Sequence, residues 1–269
     1  MCHSSTSRGT ATLARETDGE RSVEHVQYCD ELDAEVIRFA DVMSALSLDD
    51  DVATCPGWTA RDLGEHLGVI HRWAEELVRL RSPERIARAS LENRDVVRSQ
   101  WIEEGGKELV ATLRAADPSD EMWAWGLDQH VRFWSRRQLH ETLVHRMDLE
   151  LAAHRTPKAD PAIALDAIDE YLANIEAVST RSPELAALRG HGERLGFRDS
   201  DSGSLWSITL GDNGFSVSHD EGPFDAELAS SPVTLLLVIL GRREVDSTDV
   251  AVTGRRQLID FWLDNSAFD

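Results

Sequence analysis

The feature that most constrains the fold is a change in hydrophobic periodicity part-way along the chain. Before Arg189, apolar residues recur at steps of three and four, the spacing of one buried face of an α-helix. After Arg189, short stretches alternate apolar and polar residues, as in β-strands with one buried face. The chain of 269 residues is therefore predicted to have a helical N-terminal domain and a small C-terminal α+β domain.

Five long helices are predicted before this change. Turn and capping signals separate them: Cys55-Pro56-Gly57-Trp58-Thr59 precedes the second helix, and Asp117-Pro118 follows the third. Long helices with modest connections favour an antiparallel bundle with a site between facing helices. The predicted helices cover about residues 23–46, 60–81, 96–115, 130–153 and 161–179.

The remainder of the chain is predicted to form a small sheet with two helices. The run Gly211-Asp212-Asn213-Gly214 is a hairpin turn between two alternating segments. The predicted strands are 205–210, 215–218, 226–228 and 250–253, and the helices are 233–240 and 257–263. We expect a disordered tail over 1–22, a helical domain over 23–185 and an α+β domain over 186–269.

The composition excludes two classes of partner. The formal net charge is −21, which repels nucleic-acid phosphates and anionic membrane surfaces. No stretch reaches the roughly 18 apolar residues of a membrane span, and the N-terminus lacks the apolar segment of a secretion signal. The three cysteines show no C-x-x-C spacing, which fits a reducing cytoplasm. We expect a cytoplasmic monomer or homodimer that acts on small molecules.

The fourth predicted helix carries the most specific chemical signal. Glu141 and His145 are four residues apart, so a helix projects both from one face. His140 is five residues before His145, roughly 140° around the helix, and is not expected to join them. The segment therefore differs from the H-E-x-x-H motif, in which the glutamate is a general base. Here Glu141 itself would be a metal ligand.

A third metal ligand is expected from His66. It lies on the apolar face of the second predicted helix, between Leu63 and Leu67. Two imidazole nitrogens and one carboxylate oxygen suit zinc or another divalent ion, and three ligands leave one position open for catalysis. Two ordinary interpretations compete with this one: His66 as a hydrogen-bonded core histidine, and the Glu141–His145 pair as a surface pair.

Three charged residues are further candidates. Arg137 could bind a substrate carboxylate, and Asp148 could accept a hydrogen bond from His145 and orient it. Arg242 follows an apolar helix and could hold an anionic ligand. All three could equally belong to ion pairs at the surface. Cys55 is considered as a catalytic thiol, although no cysteine has a sequence neighbour that predicts a metal ligand.

Two sequence blocks resemble the mycothiol-dependent maleylpyruvate isomerase family. Residues 54–68 are similar to that family's CPGW-t-x-RDL-xx-HLg segment, and residues 137–148 are similar to its R-xxx-E-xx-x-HR-x-D segment. The tail is similar as well, with Trp206 in a strand, the turn at Gly211–Gly214 and the run Val252-Thr253-Gly254. The resemblance covers about residues 23–263.

The resemblance implies a fold, a metal site and a cosubstrate. The N-terminal domain would be a DinB-like antiparallel four-helix bundle that binds one divalent metal, expected to be zinc, through His66, Glu141 and His145. The C-terminal α+β domain would be sterol-carrier-like and would help to close the active site. The family uses mycothiol, a low-molecular-weight thiol. Arg242 would assist catalysis, and Arg137 and Arg242 would help to bind the thiol.

The expected reaction is addition of the thiol to an electrophilic small molecule. A free alkyl thiol has a pKa near ~8.5, and coordination to zinc would deprotonate it at neutral pH. Addition, rotation and elimination would give cis–trans isomerisation, whereas addition or displacement alone would give S-transfer. A zinc hydrolase that uses hydroxide and a non-catalytic metal-binding regulator are the alternatives.

Overall fold

The computed structural model of the protein describes residues 18–88 and 98–267. Within these ranges the chain forms seven α-helices, a short 3₁₀-helix and one five-stranded sheet. None of the described helices is long and apolar enough to cross a membrane. The helices are α1 (Asp18–Ser44), α2 (Ala60–Leu80), α3 (Ser99–Ala115), α4 (Val131–Ala152), α5 (Pro161–Val178), α6 (Pro232–Ile239) and α7 (Arg256–Asn265). The strands are β1 (Arg194–Asp199), β2 (Leu205–Gly211), β3 (Gly214–Ser218), β4 (Ala226–Ser230) and β5 (Ala251–Gly254).

Two predicted segments fall at the edges of the described ranges. The predicted tail, residues 1–22, lies outside them except for residues 18–22, which belong to the first turns of α1. The predicted start of the third helix at Val96 also lies outside them, and α3 begins at Ser99. A helical part followed by an α+β part, as the periodicity predicts, is confirmed.

Helices α1 to α4 pack against one another. Helix α1 contacts α3 and α4, and α2 contacts the same two helices. Their interior is closely filled: Trp134 is fully buried and meets Trp73 edge-on, with ring centroids 5.3 Å apart. This packing sets α2 beside α4, so that side chains on their facing sides can meet. The identification of the arrangement as a DinB-like four-helix bundle stays a prediction.

The sheet has the strand order β3-β2-β1-β4-β5. All neighbouring strands are antiparallel except β1 and β4, which run parallel. The central strand, β1, is not among the strands predicted from the sequence. Its apolar residues Leu195 and Phe197 do alternate and are fully buried, but the strand is short and also carries the charged side chains of Arg194, Arg198 and Asp199. Its pairing on both edges, rather than a local pattern, defines it.

Helix α5 connects the two parts of the chain. The predicted boundary near residue 185 assigns α5 to the helical domain, yet α5 packs mainly against α6 and β3. The division at that residue stays a prediction. The end of α6 lies near α4, where Arg242 contacts Asp148 at 3.1 Å beside the candidate site.

Candidate metal centre

A well-defined helix start fixes the position of His66. Gly57 adopts a φ of +83° in the turn before α2, a conformation that favours glycine. Thr59 then caps the helix: its hydroxyl accepts a hydrogen bond from the Asp62 backbone N–H, and the Asp62 carboxylate accepts one from the Thr59 backbone N–H at 2.9 Å. This capping box sets the first turn of α2 and therefore the direction of His66, which follows one turn later.

Helix α4 projects Glu141 and His145 toward His66. Glu141 Oε1 lies 3.0 Å from His66 Nε2 and 3.3 Å from His145 Nε2. The two imidazole rings have centroids 5.0 Å apart and an interplanar angle of 79°. The His66 side chain is 28% exposed, whereas those of Glu141 and His145 are each 13% exposed. The structure therefore brings together the three residues that the sequence selects as metal ligands.

The spacing of these atoms fits a small divalent cation. Zinc binds imidazole nitrogen and carboxylate oxygen at about 2.0–2.2 Å, so two ligand atoms at a tetrahedral angle lie roughly 3.4 Å apart. The separations of 3.0 and 3.3 Å at Glu141 Oε1 are close to this value, and all three ligand atoms lie within 4.8 Å of one another. An ion held here would have three protein ligands and one open position.

The part of the chain that carries the three candidate ligands is similar to a known domain. The sequence profile of the mycothiol maleylpyruvate isomerase N-terminal domain matches residues 29–150, a range that contains His66, Glu141 and His145. Residues 29–150 therefore match the N-terminal domain of that family. The resemblance carried by the two sequence blocks is thereby confirmed, as is the prediction of a family of enzymes.

Two solved structures share the fold over most of the chain. A crystal structure of the mycothiol-dependent maleylpyruvate isomerase and one of a histidine-to-alanine mutant each match with a TM-score of 0.57 and 15% sequence identity. Each match covers 89% of this chain and 96% of the other. No curated protein sequence matches the chain. The shared fold therefore extends well beyond the domain that defines the family.

Arg137 binds the second oxygen of Glu141. One guanidinium nitrogen, Nη2, donates to Glu141 Oε2, and the other, Nη1, donates to Glu170 Oε2 at 3.0 Å. This leaves Glu141 Oε1 directed at the two histidines. The predicted contact of Arg137 with a thiol or a substrate carboxylate stays a prediction; in the structure its guanidinium is shared between two protein carboxylates.

His140, which the sequence assigns to another face of α4, belongs to a buried ionic cluster. Its ring nitrogens lie 3.1 Å from Glu170 Oε2 and 3.0 Å from Asp166 Oδ2, and Arg136 binds Asp166 at 2.8 Å. Burial alone would raise the pKa of Glu170, but Arg137 and His140 lower it to about 2. Burial alone would lower the pKa of His140, but both carboxylates raise it above its ordinary value. Through Glu170, this cluster holds Nη1 of Arg137, whose Nη2 binds Glu141.

This cluster predicts how stability depends on pH. Burial alone would raise the pKa of Asp166, but its bonds to His140 and Arg136 lower it to about 2. A folded-state pKa below the unfolded value of ~3.9 means that the carboxylate stabilises the fold above about pH 4 and loses this effect as the pH falls toward about 2. We expect Asp166→Asn to lower the free energy of unfolding at neutral pH. In a series of urea titrations, its difference from wild type should shrink across that acid range.

A neighbouring carboxylate provides the control for this measurement. Asp169 also binds Arg136, at 3.0 Å, but its side chain is 44% exposed, so Asp169→Asn should have a smaller effect because solvent screens exposed ion pairs. If the Asp166→Asn difference stays constant down to strongly acid pH, the ionised carboxylate is not the source of the stabilisation.

A second group of ligand-type atoms lies beside the first; the sequence suggests its contact between Asp148 and His145 but not the one between Cys55 and Asp148. Cys55 Sγ lies 3.5 Å from Asp148 Oδ2, and His145 Nδ1 lies 3.0 Å from the same oxygen. Arg242 already places a positive charge on Asp148, with Nε 3.1 Å from Oδ1, and this charge opposes a second cation. His145 faces this group through Nδ1 and faces Glu141 through Nε2. We therefore interpret the group as a support for the metal site.

A cleft opens beside His66. Its volume is ≈ 670 Å³, and its described lining includes the charged side chains of Asp62, Glu65 and Arg88. Trp58 lines the same cleft and lies against His66, with ring centroids 5.1 Å apart. A small molecule in the cleft would reach the metal ligands from the side of α2, over an aromatic surface.

Proposed function

We propose that this chain is a metal-dependent enzyme that activates a low-molecular-weight thiol, mycothiol, for reaction with an electrophilic small molecule. The observation that carries the proposal is the group of His66, Glu141 and His145, whose ligand atoms lie within 4.8 Å of one another beside a cleft of ≈ 670 Å³. The match of residues 29–150 to the N-terminal domain of mycothiol maleylpyruvate isomerase supports a thiol as the cosubstrate.

Each residue of the site has a defined part in this proposal. His66, Glu141 and His145 would hold the ion, which supplies the positive charge that lowers the pKa of a bound thiol from its free value of ~8.5. Arg137 keeps Glu141 Oε1 turned toward the histidines by binding Oε2. Trp58 covers one side of His66 and would limit the access of water.

Isomerisation is the reaction we propose first, and S-transfer is the alternative. In isomerisation the thiolate adds to an activated double bond, the resulting single bond rotates, and elimination restores both the double bond and the thiolate. In S-transfer the sulfur remains on the product. The two isomerase structures with the same fold support the first. Recovery of isotopically labelled thiol after complete turnover would separate the two reactions.

We expect the zinc-loaded protein to bind mycothiol saturably and to require it for turnover. The physical reason is the open coordination position, which a thiolate sulfur can fill as a soft ligand. Calorimetric titration measures the binding. The hydroxyl analogue of mycothiol, with oxygen in place of sulfur, is the matched control and should bind far more weakly, as should mycothiol to the metal-free protein.

Two other outcomes would redirect the assignment. Absence of heat at millimolar thiol, together with turnover without any thiol, would favour the zinc hydrolase, for which Glu65 in the lining of the cleft is a candidate general base. Bound metal with neither thiol binding nor turnover would favour a metal-binding regulator.

A further inference from the structure

Asp148 is a buried carboxylate that receives donors from both parts of the chain. Its side chain is 0% exposed. Arg242, which follows α6, binds both carboxylate oxygens: its Nε lies 3.1 Å from Oδ1 and its Nη2 lies 3.3 Å from Oδ2. On the other side, His145 Nδ1 lies 3.0 Å from Oδ2, and Cys55 Sγ lies 3.5 Å from the same oxygen. A guanidinium group can only donate, so both oxygens of Asp148 accept hydrogen bonds from Arg242.

The pairing of Asp148 with Arg242 bears on how His145 is held. Because Arg242 donates to both oxygens of Asp148, the carboxyl group is left to accept, and His145 Nδ1 donates to Oδ2 at 3.0 Å. In the neutral ring, Nε2 then keeps its lone pair, and Nε2 is the atom that lies 3.3 Å from Glu141 Oε1. A carboxylate behind a metal-binding histidine fixes the tautomer and ring orientation and raises the basicity of the ligand nitrogen.

Arg242 is held in place by the end of its own helix. Gly241 adopts a φ of +71° immediately after α6, and the Arg242 backbone N–H donates to the Leu237 carbonyl at 2.7 Å. The guanidinium Nη1 donates back to the Leu240 carbonyl at 2.7 Å. All three guanidinium nitrogens are therefore in use: Nε and Nη2 bind Asp148, and Nη1 binds the Leu240 carbonyl. The Arg242 side chain is thus arranged to hold a carboxylate of the protein.

We infer that Arg242 and Asp148 are positioning residues through which the C-terminal part of the chain sets the orientation of His145. Arg242 would then act on the metal site without touching a ligand. The expected effect on metal binding rests on the proposed function. The contacts of Asp148 with Arg242 and His145 do not, because they exist without an ion.

The test measures cobalt(II) binding by wild type, Arg242→Ala, Asp148→Asn and the double variant. Visible absorption of cobalt reports the ligand geometry, and competition with a chelator reports the affinity. We expect each single substitution to weaken binding roughly 10–100-fold and to change the spectrum in the same way. The double variant should bind cobalt no more weakly than Asp148→Asn, because the effects of two residues that act through the same contact do not add.

Two further variants exclude a general loss of structure. Arg243→Ala is the matched control, because Arg243 is the next residue and pairs with Asp249 at the surface, at 2.7 Å; its cobalt affinity and spectrum should equal those of wild type. Arg242→Lys keeps the charge but not the paired donors, so it should bind cobalt with intermediate affinity. Ethylguanidinium added to Arg242→Ala should restore part of the affinity.

Several results would overturn the inference. Unchanged cobalt affinity and spectrum in Arg242→Ala, with only a raised KM for the thiol or the electrophile, would place Arg242 against a ligand instead. Additive losses in the double variant would also overturn it.

A wild-type protein that fails to bind cobalt would refute the proposed function, and the inference is then decided on the metal-free protein. Crystal structures of the metal-free proteins should show the His145 ring turned away from Glu141 in Arg242→Ala but not in wild type. The same ring orientation in both proteins would refute the inference.

Discussion

His145→Ala is expected to remove tight metal binding from the protein. The described site offers three ligand atoms, and loss of one leaves His66 and Glu141 on separate helices with two positions to be filled by water. The loss of affinity should exceed the roughly 10–100-fold that removal of a supporting partner costs. We expect elemental analysis after gel filtration to find about one zinc per wild-type chain and none in His145→Ala, with the same result for His66→Ala and Glu141→Ala.

A control variant for this prediction needs a histidine outside the site whose removal leaves the fold intact. From the sequence, His140→Ala should keep its metal, because His140 lies on another face of α4. His140 is however 1% exposed and bound between Asp166 and Glu170, so its removal would disturb the fold. His191, whose side chain is 89% exposed, is the better control. Full metal content in His145→Ala would refute the site assignment.

Cys55→Ala separates the two groups that share His145. If the ion lies between His66, Glu141 and His145, Cys55→Ala should retain its metal because Cys55 contacts Asp148 rather than the ion. If the ion instead lies between Cys55, His145 and Asp148, Cys55→Ala should lose it and His66→Ala should keep it. The pair of variants therefore identifies the occupied group in either case.

Local signals in the sequence predict most of the helical part of the fold. The helices predicted over 60–81 and 130–153 agree with α2 (Ala60–Leu80) and α4 (Val131–Ala152) to within one residue at each end. Their apolar faces and the cap at Thr59 depend on residues close together in sequence, so a local pattern is enough to predict them. Strand β1 could not be predicted in this way, because its pairing with β2 and β4 is defined by residues distant in sequence.

The residues of the candidate site also differ in whether local sequence predicts their contacts. Glu141 and His145 could be selected because four residues on a helix is a fixed geometry. The partners of the arginines could not, since nothing local links Arg242 to Asp148 across 94 positions, or Cys55 to Asp148 across 93. A sequence shows that a charged residue is present, but burial and distant partners decide whether it binds a ligand or another side chain.

Arg146 of the second sequence block joins three segments of the chain. Its side chain is 2% exposed and donates to Glu35 on α1 at 2.5 Å, to Glu150 on α4 at 2.7 Å and to the Lys158 carbonyl before α5 at 2.8 Å. The Glu35 side chain is itself 5% exposed. A cation at this point therefore compensates a charge that the fold has removed from water.

Arg146→Met should accordingly destabilise the protein by about 3–5 kcal/mol, because removing one partner of a buried ion pair leaves the other uncompensated. Of the described residues, Arg38, whose side chain is 52% exposed, would remain on Glu35. Urea unfolding of the metal-free protein measures the change without a contribution from bound ion. Arg114→Met is the control: Arg114 also bridges to α1, through Asp30 and Asp33, but is 43% exposed, so it should cost at most about 1 kcal/mol. Equal losses in the two variants would show that burial does not strengthen the Arg146 contacts.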